Sequence, residues 1–125
     1  MAFGILAFDT LQTSDSKNTG TNKTLDTSFV YNGSARSWIR MNSAATIRDS
    51  FNISSASDDG TGDYTITIAN DFNNANFVHL STGVEFNTLN DSANTAGTMQ
   101  FGSYDNSGSR TDTARNFVAG LGDLA

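Results

Sequence analysis

The stretch DDGTGDYTITI, residues Asp58–Ile68, decides the fold. Its right-hand half alternates strictly, with Tyr64, Ile66 and Ile68 on one side of an extended chain and Thr65 and Thr67 on the other. A period of two is the mark of a strand with one buried face. The left-hand half reads as the turn before it, because Asp and Gly tolerate the backbone that a chain reversal needs. The acids also allow a second reading. Calcium takes about six to eight oxygen ligands, and Asp59, Thr61 and Asp63 have the alternate spacing of a calcium loop. A helix-flanked loop of that kind needs a bidentate acid at its twelfth position, which here is Asn70. A strand–turn–strand hairpin accounts for every residue of the stretch. No metal site is therefore assigned, and Asp59, Thr61 and Asp63 stand as the alternative cation ligands.

The same pattern recurs on both sides. SWIRM (37–41) alternates, with Trp38 and Arg40 opposite Ile39. TIRDSFNIS offers Ile47, Phe51 and Ile53 as core candidates. ANFVHLSTGVEFNTL supplies strands near 76–81 and 84–89, with Gly83 marking a turn or bulge between them. GTMQFGSYD gives a strand at 97–104, and NFVAGL at 116–121 closes the chain. Asn32-Gly33 carries the strongest two-residue hairpin signal, since both residues tolerate positive φ. Roughly seven to nine short strands separated by turns predict an all-β fold, an antiparallel β-sandwich or jelly roll.

Composition agrees. Of 125 residues, 45 are Asn, Ser or Thr, and Glu85 is the only glutamate. Small polar residues compete for backbone hydrogen bonds and favour turns and short strands over helix interiors. There is no cysteine, which excludes disulfides and thiol chemistry, and no proline. No run approaches the ~20 apolar residues of a membrane-spanning helix. MAFGILAFDTLQTSD has no basic leading region and does not read as a secretory signal. The net charge of -6 disfavours nucleic acid and anionic membranes as partners.

The N-terminal part differs from the rest. An apolar tip, residues 1–8, precedes a polar stretch at 9–28 without clear periodicity. The tip, with Phe3, Ile5, Leu6 and Phe8, and Leu11 just beyond it, reads as an arm that docks onto another chain. The expected division is an arm over 1–28 and a β-sandwich domain over 29–125.

Residues that could carry chemistry are few. His79 is the only histidine. It shares a strand face with Phe77, opposite Val78 and Leu80, and reads as a histidine that packs or meets solvent. Tyr31, Trp38, Tyr64 and Tyr104 fit either a sugar-stacking surface or a core. Core filling is the commoner fate of aromatics in a small β domain, so Trp38 and Tyr64 are assigned to it. Tyr104, in the polar GSYDNSGSR, is the surface candidate, with Asp105, Asn106 and Arg110 beside it. Asn-x-Ser/Thr matches, those at Asn22, Asn32 and Asn52 among them, carry no weight in a chain this rich in those residues. No phosphate loop, nucleophile elbow or His-Glu-x-x-His motif is present, and no pair of aspartates stands out for glycoside hydrolysis. No enzymatic activity and no cofactor are assigned.

Three stretches together carry a resemblance. MAFGILAFDTLQTSD (1–15) resembles the leader of small tail-fibre or appendage proteins of marine bacteriophages, cyanophages especially. YNGSARSWIRMNSAATIRDSFNISSASDDGTGDYTITI (31–68) resembles a module of those proteins. It runs from a Trp strand through an IRDSFN element to a GTGDYT hairpin, and NDFNNANFVHLSTG (70–83) resembles the strand that follows. The family is known as virion structure. The resemblance implies an extracellular particle protein, commonly a homotrimer, bound through its N-terminal arm to other virion proteins of the capsid or tail. Its β domain would project outward and meet a host surface glycan through loops such as 105–113. Two readings compete with it: a stand-alone carbohydrate-binding or adhesin module, and a small hydrolase.

Overall fold

The computed structural model describes residues 10–14, 22–26, 33–89 and 93–125. The chain divides into two units, Met1–Ser34 and Ala35–Ala125. In the first, β1 (Thr10–Ser14) and β2 (Asn22–Asp26) pair antiparallel, with Leu11 opposite Leu25. The stretch read as an aperiodic tether thus contains a hairpin. Its TLQTS and NKTLD strands lack the alternation that marks a half-buried strand, so periodicity gave no sign of them. The anchoring candidates Phe3, Ile5, Leu6 and Phe8 lie outside the described residues, as does Tyr31.

The second unit holds eight strands: β3 (Ser37–Met41), β4 (Ile47–Phe51), β5 (Ile53–Gly60), β6 (Asp63–Ile68), β7 (Val78–Gly83), β8 (Phe86–Leu89), β9 (Thr98–Tyr104) and β10 (Asn116–Leu121). They form two four-stranded antiparallel sheets, in the orders β4-β3-β10-β7 and β5-β6-β9-β8. This is the expected β-sandwich. The β6 alternation does what its sequence implied: Tyr64, Ile66 and Ile68 are buried, and Thr65 and Thr67 are not. Facing layers complete the core: Ile39, Met41 and Val118 from one sheet, Met99 and Phe101 beside β6 from the other, and Phe72 from the β6–β7 connection. Tyr64 stacks on Phe101 with ring centroids 5.2 Å apart.

The chain changes sheets at short corners. β4 passes to β5 through Asn52 alone, which adopts a left-handed conformation (φ 57°). Its side chain holds the corner. The amide nitrogen donates to the carbonyls of Arg36 and Asn70, both at 3.0 Å, and the amide oxygen accepts the Asn70 N–H at 2.8 Å. On the other flank β7 passes to β8 through Val84 and Glu85.

Two assignments from the sequence fail. Trp38, expected in the core, faces outward and is 37 % exposed, because Ser37, Ile39 and Met41 take the inner positions of β3. Phe51 is 54 % exposed for the same geometric reason: it lies opposite Trp38, on the outer side of β4.

Candidate binding surface

The outer face of the β4-β3-β10-β7 sheet brings the misplaced aromatics together. The register sets them in rows. Phe51, Trp38, Ala119 and Leu80 lie side by side across the four strands. Asp49, Arg40, Phe117 and Thr82 form the next row. Leu80 (55 %) and Phe117 (42 %) are exposed, as are Trp38 and Phe51. Ala119 is the small member of its row, so the surface dips between Trp38, Leu80 and Phe117. The dip is a groove of about 450 Å³, with Arg40, Asp49, Ser81 and Thr82 on its walls. The Arg40 guanidinium lies 5.8 Å from the centre of the Phe117 ring, within cation–π range.

β7 shows why this face was missed. In VHLSTG the apolar Val78 and Leu80 turn outward and His79 turns in, where it is 5 % exposed. The His79 Nδ1 lies 3.4 Å from the Asn94 amide nitrogen. His79 therefore packs in the interior. Among the described residues no three His, Asp or Glu side chains converge on a point that could hold a metal.

The carboxylates of the β5–β6 hairpin are spent on the turn. Asp58 accepts the Gly60 N–H at 3.2 Å, Asp59 accepts the Thr65 hydroxyl at 2.5 Å, and Asp63 pairs with Arg110 at 3.0 Å. Asp59 and Asp63 thus already hold protein partners, and Thr61 lies in the turn between them. Gly62 sits there with φ +64°, its N–H donating to Asp112 at 2.6 Å.

The surface candidates of the second loop also face inward on themselves. Asp105 accepts from Ser107 N–H, the Ser107 hydroxyl and Ser109 N–H at 2.6–2.9 Å. These bonds, the Ser107 hydroxyl's first, hold its carboxyl below the usual value of 3.8. Arg110 lies 5.5 Å from the centre of the Tyr104 ring while it pairs with Asp63. Tyr104 is half-buried rather than free-standing, and Asn106 is exposed. The loop brings Tyr104, Asp105 and Arg110 together in a hydrogen-bonded turn, whereas the open aromatic surface lies on the outer sheet face.

Comparison with protein-family models, with curated proteins and with solved structures finds no match to this chain.

Proposed function

We propose that this chain is a non-enzymatic virion appendage of a bacteriophage, bound to other virion proteins by its N-terminal arm and meeting its environment through the outer face of the β4-β3-β10-β7 sheet. One observation carries the use of that face. Trp38, Phe51, Leu80 and Phe117 form a contiguous exposed apolar surface, ordered by the strand register, on a chain of net charge -6. Patches of this kind on soluble proteins mark contact sites. The virion assignment is supported by the resemblance carried by residues 1–15 and 31–83. The same resemblance favours a homotrimer.

The test is particle assembly. Phage carrying this chain without residues 1–28 should assemble without the protein, while the truncated protein stays soluble and folded. Incorporation that survives the deletion removes the anchoring role. A second reading, a carbohydrate-binding module that acts alone, is favoured by the two exposed rings of the groove. It expects a monomer in sedimentation and no loss of function when the arm is removed.

A further inference from the structure

Past Arg40 the groove meets a second hollow of about 300 Å³, lined by Arg40, Met41, Asn42, Arg48, Ala114 and Arg115. Three of the chain's five arginines thus line one depression. Among the described residues none of the three is in an ion pair, and Arg110 with Asp63 makes the one pair. This happens in a chain with 13 carboxylates and a net charge of -6. Asp49, opposite Arg40, is the one carboxylate among the residues that line the two depressions. Three like charges around one hollow raise the free energy of the fold, and an anion in the hollow would reverse that term.

Irregular backbone puts the arginines there. The β3–β4 register slips between Arg40 and Met41, which leaves Arg48 as the extra residue of a bulge. Bulges re-aim a side chain out of strict alternation. Arg115 immediately precedes β10, and its carbonyl accepts the Val84 N–H at 3.3 Å. Guanidinium groups are matched to oxyanions, which they bind through paired N–H donors.

Arg40 belongs to both depressions, so one ligand can fill both. We propose that the joined groove and hollow bind an anionic saccharide: a sugar ring against Trp38 and Phe117, with its sulfate, phosphate or carboxylate group on Arg40, Arg48 and Arg115. Asp49 and Thr82, both outward on this face, supply acceptors and donors for ring hydroxyls. An acidic peptide fits the place less well. Extended peptides are taken up along sheet edges, and this site lies on the middle of a sheet face, where side chains alone are offered. The inference rests on the reading of this face as a contact surface.

Trp38 is the only tryptophan, so its emission reports the groove directly. The full chain is titrated with glucose 6-sulfate, glucose 6-phosphate and glucuronate, and with glucose and inorganic sulfate as controls. At least one charged sugar should give a saturable change. Both controls should bind at least about tenfold more weakly, and the tightest sugar identifies the substituent. R48Q and R115Q should each weaken that binding by about fivefold to tenfold without moving Tm, since both side chains are exposed. Raised ionic strength should weaken it too.

The proposal is overturned if no charged sugar gives a saturable change, if glucose or inorganic sulfate matches them, or if R48Q and R115Q bind as the parent does. Arginine-dependent binding of poly-glutamate without a response to charged sugars also overturns it, in favour of an acidic protein partner. Particle incorporation is read separately. A chain that is on the particle but blind to charged sugars sinks this inference alone. A chain that binds them but never enters a particle sinks the virion reading alone.

Discussion

Asn52, Gly62 and Tyr64 hold the sandwich in three different ways. Asn52 combines a left-handed backbone with four hydrogen bonds to one side-chain amide. Alanine there keeps the unfavourable conformation and loses the bonds, so Asn52→Ala should cost about 2–3 kcal/mol in denaturant unfolding. At Gly62 a Cβ would stand 2.5 Å from the Ser103 carbonyl oxygen and 2.7 Å from the Thr111 nitrogen, both backbone atoms that cannot swing aside. Gly62→Ala should therefore destabilise by about 2–4 kcal/mol, by strain as well as by overpacking. Tyr64 is buried, and its hydroxyl donates to the Ser43 carbonyl at 3.0 Å. Burial, then the charges of Asp112 and Asp58, push its pKa from 10.0 up to about 12. The folded state thus holds the phenol proton more tightly than the unfolded chain does. The contribution is complete below pH 10 and is lost as pH rises towards 12, at about 1.4 kcal/mol per pH unit. Tyr64→Phe should lower stability by about 1 kcal/mol at neutral pH and flatten that alkaline slope in pH-dependent urea melts.

At the scale of the element, period-two patterning was a good guide to where strands run and a poor guide to which side faces in. The β6, β9 and β10 ranges follow from alternation because each strand has one buried face. β3 and β7 alternate just as clearly, yet Trp38 and Leu80 lie outside while Ser37 and His79 lie inside. Alternation says that two faces differ. The inward one is chosen by non-local partners, here Met99 facing Ser37 at 4.0 Å and Asn94 beside His79. The groove was invisible for the same reason, since its residues come from four strands scattered over the chain. The asymmetry of the sheet gives a direct check. Ile66→Ala, at a fully buried position of β6, should cost about 2–5 kcal/mol. Leu80→Thr, outside on β7, should stay within about 0.5 kcal/mol of the parent. Equal losses in chemical denaturation would mean that the outer face is packed against something in the free protein.

For the whole molecule, the division at Ser34 implies that the sandwich carries its own stability. Residues 35–125 expressed alone should unfold in one cooperative transition, within a few degrees of the full chain. A broad or much lower transition would show that the N-terminal unit completes the fold. The two central strands of one sheet, β3 and β10, are also the first and last of the sandwich, and they run antiparallel with Ser37 opposite Gly120. The start of β3 and the end of β10 therefore lie at the same end of one hydrogen-bonded ladder. Tension between them would open that ladder one rung at a time, from Ser37–Gly120 towards Met41–Asn116, rather than shear all rungs together. A load entering through the arm and leaving through the outer sheet face never pulls on that zipper. Held by face and arm, the domain can bear a pull that would peel it open from its own two ends.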